Sequence, residues 1–441
     1  MVSQSPADRV PGAGRARLAS LRRIGLNFGV LHALHTGLNL VYGLAQLLVF
    51  ARVLAPASYA QIVFLTAIGF YFQPFDQAIG RANYVSLRLP TGEAGLADRP
   101  EIAWLTGLYA LVVIAASAVI PFGMATAGPA ETAALALYLF NCLFMNYWSF
   151  IAQSTAWAAG FQILFALVSI VRRLLLFAAL ALLWWSRDFL VFGIVSTLLV
   201  AIAAAVFLIL ARERSRRPVR SVPSPSRQGA AAYARQLWSS WLATLSEFVT
   251  LNSPYALIPI IFGIGPILVI FDSVMRLTRL VMAGTRTFAE IALPRLSRLE
   301  LERNGRAGRQ ALGLVCAVCL LAALAPAAAA FWDAGTVFTL LLGPNNIVPV
   351  SAGSIIALIV LASGLYQPAM IFLSYLDAKR AIAHVTLAAL TGAGLFALCL
   401  LGPARDPVTV LACYGAYFAA LTVLVAFHLS RIFRHVDQNT L

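Results

Sequence analysis

The chain has few charged residues and almost no lysine. Only 11% of its 441 residues are charged, whereas soluble domains carry about 25%. Lys379 is the single lysine, so the chain cannot contain a G-x-x-x-x-G-K-[ST] phosphate-binding loop, which argues against ATP hydrolysis. Because 61% of the residues are hydrophobic, the composition is that of a polytopic membrane protein.

Metal-binding cysteine patterns and long acidic loops are also lacking. The five cysteines lie in apolar segments, and the one C-x-x-C pair, Cys316 and Cys319, has no second pair or histidine beside it. We therefore predict buried thiols, no metal site and no cofactor. The first loop on the external side, 51–58, has no acidic residue, and the longest, 332–350, has only Asp333. These absences argue against a membrane-embedded glycosyltransferase or polymerase.

Apolar runs bounded by glycine, proline and charge predict an all-α membrane protein with about twelve transmembrane helices. The predicted spans are 24–50, 59–86, 102–125, 131–156, 161–185, 189–211, 236–262, 266–293, 310–331, 351–375, 380–402 and 407–430. A basic linker, 212–235, separates two bundles of six spans, 24–211 and 236–430, and the segments 1–23 and 431–441 flank them.

The net charge of +15 is concentrated in the loops on one side of the predicted spans. The positive-inside rule accounts for this bias without a nucleic-acid partner, and it places both termini in the cytoplasm. The two halves are also faintly alike, since Pro56 and Pro266 open long spans that end at Arg88 and Arg298 after the same number of residues. An even number of spans per half predicts a parallel repeat about an axis along the membrane normal.

The eighth span carries charge where a membrane disfavours it. Asp272, Arg276, Arg279, Arg286 and Glu290 fall within about 80° of one another on a helix, over about 27 Å. Each charge that faces lipid costs roughly 2.5–3.5 kcal/mol on insertion scales. The stripe must therefore face protein or water, which predicts a transport pathway with a positive wall and an anionic cargo.

Three segments resemble one family of membrane transporters. Residues 51–88, ARVLAPASYAQIVFLTAIGFYFQPFDQAIGRANYVSLR, resemble the first two spans of Wzx-type polysaccharide flippases of the multidrug/oligosaccharidyl-lipid/polysaccharide exporter superfamily. Arg52, Leu54, Pro56 and Tyr59 match the pattern R-x-L-G-P-x-x-Y-G, with alanine in place of both glycines. Residues 288–299 and 338–380 resemble the end of span eight and the region of spans nine and ten.

The resemblance implies two bundles around a central cavity in the bacterial inner membrane. It also implies translocation of an undecaprenyl-pyrophosphate-linked oligosaccharide from the cytoplasmic to the outer leaflet by alternating access. The implied partners are this lipid-linked oligosaccharide, membrane lipids and other polysaccharide-assembly membrane proteins. The alternative is a multidrug or small-solute cation-coupled antiporter of the same superfamily. A cation exporter would require an acidic, aromatic cavity, and the arginine stripe argues against that.

A diphosphate requires planar cationic donors, which arginine supplies as a bidentate fork. The candidate diphosphate ligands are Arg276, Arg279, Arg286, Arg172, Arg173 and Arg81. The alternative for span eight is internal pairing, because Asp272 and Arg276, like Arg286 and Glu290, are four residues apart. The adjacent Arg172 and Arg173 diverge by ~100°, so one is expected in the cavity unless both extend outward to the interface.

Other polar residues are candidates for sugar contact or for ion coupling. The predicted sugar contacts are His32, His35, Asn39 and Gln46 on span one and Gln73, Gln77 and Tyr84 on span two. Helix packing is the alternative for span one, because polar residues also join membrane helices. Asp76, Glu247 and Asp272 are the candidates for coupling a proton or ion, unless each neutralises an arginine of another helix.

Overall fold

A computed structural model describes residues 28–88, 100–124, 128–158, 161–214, 227–301, 305–343, 348–375, 379–402 and 406–438. The regular structure of these residues is entirely helical, which confirms the predicted fold class. The helices are α1 (Phe28–Val53), α2 (Pro56–Arg88), α3 (Pro100–Gly123), α4 (Pro129–Ala158), α5 (Gln162–Ser186), α6 (Phe189–Arg214), α7 (Arg227–Phe262), α8 (Pro266–Leu301), α9 (Gly305–Leu342), α10 (Gly353–Tyr375), α11 (Lys379–Leu400) and α12 (Pro407–Gln438).

Proline, glycine and acidic caps determine many of the helix ends. The helices α2, α3, α4, α8 and α12 each begin with proline, whose fixed φ suits the first helical position and whose missing N–H is not needed there. The helices α7 and α9 end at Gly263 and Gly343, which adopt φ values of 78° and 79°, the left-handed conformation of a helix C-cap. Asp406 accepts hydrogen bonds from the N–H and hydroxyl of Thr409, which caps α12 and lowers the pKa of the carboxyl.

Nine helices within the described residues are long and apolar enough to cross a membrane, which supports a multi-pass membrane protein. Shorter apolar stretches occur at Gly107–Gly123 in α3 and Glu247–Phe262 in α7. The charged stripe lies on α8, which is not among the nine. The residues of α8 from Leu268 to Met275 are nonetheless all buried, because the helix packs against α10, α9 and α2.

The helices form two bundles with the same internal arrangement. In the first bundle α1 packs on α5, α2 on α4, α3 on α4, and both α4 and α5 on α6. In the second bundle α7 packs on α11, α8 on α10, α9 on α10, and both α10 and α11 on α12. Every pair of the first bundle recurs six helices later. Because six is an even number, equivalent helices cross the membrane in the same direction, as expected for a parallel repeat.

The two bundles touch along α2, which packs on α7 and α8, and along α1, which packs on α8 and α9. We call the membrane side of the α1 start and the α12 end the terminal face, and the other side the opposite face. At the opposite face, Arg52 at the end of α1 donates a hydrogen bond to the carbonyl oxygen of Leu340 in α9, at 2.8 Å. Arg187, the C-cap residue of α5, in turn donates to the carbonyl oxygen of Arg52, at 3.4 Å.

Several helix bounds differ from the predicted spans, among them α8, which ends at Leu301 and not at 293, and α12, which ends at Gln438 and not at 430. The helix α9 breaks at Asp333, whose φ of −153° and ψ of 69° are non-helical, close to the predicted end at residue 331, and a further helical stretch continues to Leu342. The helices α6 and α7 reach Arg214 and Arg227, so they extend into the predicted linker 212–235. The centre of that linker, 215–226, and the N-terminal segment 1–23 lie outside the described residues.

Candidate functional site

A cavity of about 270 Å³ lies between the two bundles, about midway along the helices that form it. The helix α2 contributes one wall from the first bundle, and α7, α8 and α10 contribute the walls from the second. The lining residues are Phe70, Gln73, Pro74, Gln77, Glu247, Phe248, Leu251, Asn252, Arg279, Met282, Ala283, Arg286 and Gln367.

The lining combines apolar side chains with several polar ones and carries a net positive charge. Arg279 and Arg286 contribute two positive charges and Glu247 one negative charge, so the formal charge of the lining side chains is +2 − 1 = +1. The side-chain amides of Gln73, Gln77, Asn252 and Gln367 complete the polar surface. Such a lining can bind an anion through the guanidinium groups and hydroxyl groups through the amides.

Arg279 is held in place from two sides. Its Nη2 donates a hydrogen bond to Oδ1 of Asn252 at 3.0 Å. Its guanidinium carbon lies 3.7 Å from the ring centroid of Phe70 and 5.1 Å from that of Tyr255. Aromatic faces attract a guanidinium through the ring quadrupole, so these contacts stabilise the charge without neutralising it. Arg279 therefore presents a fixed cation to the cavity.

Glu247 and Arg286 line the same cavity at other points. The carboxylate of Glu247 accepts a hydrogen bond from the Gln367 amide at 3.3 Å, which joins α7 to α10. The side chain of Arg286 is exposed and lies seven residues after Arg279 on α8, so both arginines lie on one helix face. The structure thus brings together five of the predicted residues: Gln73, Gln77, Glu247, Arg279 and Arg286.

Arg276 and Asp272 form an internal ion pair outside this lining. Arg276 Nε donates to Oδ2 of Asp272 at 2.6 Å, and the Tyr255 hydroxyl donates to Oδ1 at 2.8 Å. The Asp272 carboxylate is fully buried, and the Arg276 side chain is 14% exposed. The pairing follows the alternative that the four-residue spacing offered, and it satisfies both oxygens of a buried carboxylate, which would otherwise be costly.

The predicted residues of α1 whose side chains the structure describes, His35, Asn39 and Gln46, lie inside the first bundle and not in the cavity. Asn39 Oδ1 accepts a hydrogen bond from Arg173 Nε at 2.6 Å, and the Asn39 amide nitrogen lies 3.1 Å from Nε2 of His35. The Arg173 guanidinium also lies 4.5 Å from the ring centroid of Tyr42. Gln46 donates to the Tyr138 hydroxyl at 3.3 Å. These contacts join α1 to α4 and α5, which is the helix-packing alternative.

Two further candidates, Asp76 and Arg172, lie inside the first bundle. Asp76 is fully buried beside Tyr109, and neither of its carboxylate oxygens has a hydrogen-bond partner. Arg172 donates from Nη1 only to the sulfur of Met145, at 3.9 Å. The side chains of His32, Arg81 and Tyr84 lie outside the described part of the structure.

The sequence analysis did not identify three lining residues that contact Arg279 or Glu247. Phe70 packs on Arg279, Asn252 accepts from it, and Gln367 donates to Glu247. Gln367 precedes Pro368 in an otherwise apolar helix, and an amide there was a detectable signal. Phe70 gave no signal, because aromatic residues are common in any apolar span. In the described residues no group of three or more histidine, cysteine or acidic side chains is arranged to hold a metal.

Comparison with known proteins identifies the fold through solved structures alone. Neither a protein-family model nor a curated protein sequence matches the chain. An inward-facing multidrug resistance MATE family transporter of the MOP superfamily superposes with a TM-score of 0.72 at 12% identity, over 91% of this chain and 96% of that one. An outward-facing structure of a multidrug resistance MATE family transporter of the MOP superfamily superposes with a TM-score of 0.62 at 14% identity, over 93% of this chain and 95% of that one.

A third similar structure differs in its pocket. It is a MOP superfamily transporter from Pyrococcus furiosus, described by a reversed polarity of its binding pocket that suggests a different function. The TM-score is 0.62 at 13% identity, over 93% of this chain and 94% of that one. The chain has the MATE-like fold. The two bundles described above are the halves of that fold, and the cavity lies between them.

Proposed function

We propose that this protein is an alternating-access transporter that flips an undecaprenyl-pyrophosphate-linked oligosaccharide across the bacterial inner membrane, from the cytoplasmic to the outer leaflet. The observation that carries the proposal is the placement of Arg279 and Arg286 in a cavity between two helix bundles. The fold supports the transport part, since similar structures are named as inward-facing and outward-facing transporters. The cargo is inferred from the chemistry of the lining.

The lining suits the head of such a lipid. A diphosphate offers several anionic oxygens, and each guanidinium can donate two parallel hydrogen bonds to them. Phe70 and Tyr255 lie beside Arg279, so its charge is in a medium of low dielectric constant, where an ionic contact is stronger than in water. The amides of Gln73, Gln77 and Gln367 can exchange hydrogen bonds with sugar hydroxyls.

The dimensions fit the head group and not the whole lipid. The volume of about 270 Å³ is slightly below the ~300–1,000 Å³ of typical small-ligand pockets. The diphosphate and the first sugar therefore occupy the cavity, the polyprenyl chain remains in the bilayer, and a longer oligosaccharide requires the bundles to separate. Contacts at the opposite face, including Arg52 with Leu340, agree with a cavity that opens towards the terminal face.

The second candidate is a cation-coupled multidrug antiporter, since two of the similar structures are named as multidrug transporters. Glu247 is the observation that favours it, as a carboxylate in the lining. Two arginines outnumber this one acid, so an organic cation would meet a net repulsion. The reversed pocket polarity described for the Pyrococcus furiosus transporter supports the view that, on this fold, lining charge distinguishes functions.

The test is transport of a fluorescent polyprenyl-diphosphate-sugar in vesicles that contain only this protein. Wild type is compared with Arg279→Ala and with Arg306→Ala, which removes an exposed arginine at the start of α9, away from the cavity. We expect transport by wild type and Arg306→Ala and a strong loss in Arg279→Ala. Folded wild-type protein that moves an organic cation against a proton or sodium gradient, but not this lipid, would support the antiporter instead. Release of a lengthened glycan would indicate an enzyme.

A further inference from the structure

The first bundle contains two adjacent arginines that have no acidic partner. Arg172 and Arg173 lie in the middle of α5. No carboxylate among the described residues pairs with either guanidinium. Of the acids described in this bundle, Glu131 accepts from Ser58 and Asp188 caps α6, whereas Asp76, whose carboxylate oxygens have no hydrogen-bond partner, lies beside Tyr109 on α3 and not in an ion pair with either arginine. Two positive charges are thus unpaired within the bundle.

Neither arginine is directed at lipid. The exposed side chains of α5 include Val171, Leu174 and Leu175, which define its lipid-facing side. At ~100° per residue, Arg172 and Arg173 lie on opposite flanks of that side. Arg173 points towards α1, where it contacts Asn39. Arg172 points towards α4 and α6. Extension of both side chains to the membrane interface, the alternative raised by the sequence, does not describe them.

The two arginines differ in how their hydrogen bonds are satisfied. Arg173 donates a short hydrogen bond to Asn39 and lies on the face of the Tyr42 ring. The Nε of Arg172 is buried and has no hydrogen-bond partner, and the one contact of its Nη1 is the weak acceptor sulfur of Met145. A buried charged donor without an acceptor is costly. Because arginine stays protonated in proteins, loss of its proton does not relieve that cost.

A small cavity lies beside the unsatisfied guanidinium, between α4, α5 and α6. Its volume is about 10 Å³, which is roughly the ~10–15 Å³ that one water molecule requires. Arg172 and the serines 149 and 169 line it with polar groups, and Trp148, Phe165 and Phe207 are among its apolar walls. The serine hydroxyls can act as donors. Every strong polar group in this lining can therefore present hydrogen to the space.

We propose that this cavity is a binding site for a single monatomic anion such as chloride, held by Arg172. An anion accepts hydrogen bonds from the guanidinium and the hydroxyls and compensates a charge that the described protein residues leave unpaired. The volume of about 10 Å³ suits a single monatomic anion better than phosphate, diphosphate or a carboxylate ligand. The site lies within one bundle, apart from the cavity that contains Arg279, and the proposal does not depend on the transported cargo.

Binding is tested on purified full-length protein in detergent, without a transport assay. Thermal unfolding is measured in sodium chloride and in sodium gluconate at equal ionic strength, and the ³⁵Cl NMR linewidth reports bound chloride directly. For wild type we expect a saturable rise in Tm with chloride and a broadened ³⁵Cl line that bromide sharpens by competition. The matched control, Arg187→Met at the exposed end of the same helix, should behave like wild type.

Arg172→Met should abolish both the chloride-dependent rise in Tm and the broadening of the ³⁵Cl line. If that variant does not fold, Ser169→Val provides the test, because it fills the cavity without removing a charge, and it should abolish the broadening. Equal Tm values for wild type in the two salts with an unbroadened line would show that the cavity holds water only. Retention of chloride binding by both variants would overturn the assignment to Arg172.

Discussion

Replacement of Arg279 by methionine tests the proposed cargo site most directly. The change removes the guanidinium but keeps a long, flexible apolar side chain that can pack against Phe70. In the native structure Arg279 makes one hydrogen bond to Asn252 at 3.0 Å and lies 3.7 Å from the Phe70 ring centroid. Neither contact involves another charge. The positive charge is therefore available to a ligand, and its removal should weaken ligand binding more than it lowers the stability of the protein.

The expected size of the effect follows from the lost contacts. Hydrogen bonds to charged groups contribute about 1.5–3 kcal/mol, and each ~1.4 kcal/mol is tenfold in affinity. Arg279→Met should therefore weaken binding of the lipid diphosphate by about 10- to 100-fold. Stability should change less, because the lost cation–π interaction of about 0.5–2 kcal/mol is offset in part by removal of a desolvated charge.

Vesicle transport of a fluorescent polyprenyl-diphosphate-sugar, measured over a range of lipid concentrations, provides the assay, and thermal unfolding provides the check on folding. Arg279→Lys separates charge from geometry, because lysine retains the charge but lacks the planar fork. We expect its activity to fall between those of wild type and Arg279→Met. Wild-type transport by a folded Arg279→Met protein would refute the reasoning, and full activity of Arg279→Lys would reduce the role of Arg279 to a point charge.

Four other single substitutions and one double substitution test the surroundings of the site. Asp272→Ala should destabilise the protein by about 3–5 kcal/mol because it leaves a buried arginine unpaired, whereas the double change of Asp272 and Arg276 to methionine should restore most of the Tm. Glu247→Gln raises the formal charge of the lining from +1 to +2 and should tighten binding of the diphosphate lipid severalfold, as measured by ligand titration. Asp76→Asn should leave the Tm equal or higher, since both buried carboxylate oxygens lack a partner; a marked fall in Tm would contradict this. Arg52→Ala removes the hydrogen bond between α1 and α9 at the opposite face. Cysteines introduced between the two bundles should then be labelled faster by a thiol reagent added from that face than in the protein that retains Arg52.

The sequence predicts the helices and their polar faces better than it predicts the contacts between helices. Helix number and approximate bounds were predictable because a bilayer requires each spanning segment to satisfy its own backbone hydrogen bonds. The placement of Gln73 and Gln77 on one face of α2 was also predictable from helical periodicity, and both line the cavity. The hydrogen-bond partners of the charged residues were not predictable from the sequence. Asn252 and Arg279 are 27 residues apart, and Arg173 and Asn39 are 134 apart, so no local pattern relates them.

The charged stripe of α8 shows where local reasoning ends. Its five residues share one face, yet Asp272 and Arg276 form a buried pair with Tyr255, while Arg279 and Arg286 line the cavity. The difference depends on what stands opposite each turn of the helix. Tyr255 of α7 faces Asp272, whereas Arg286 lies at the wall of the cavity between the bundles. Helical periodicity predicts the direction in which a side chain points, but it does not predict which residues of other helices lie there.

The sequence by itself determined the membrane class, the twelve helices and the one helix whose charges cannot face lipid, because hydrophobicity, helical periodicity and the cost of charge in a bilayer act locally along the chain. Only the tertiary structure decided which charges are paired and which line a cavity. Burial and partnership depend on α2, α7, α8 and α10 meeting at one place, and that meeting results from packing between residues far apart in sequence.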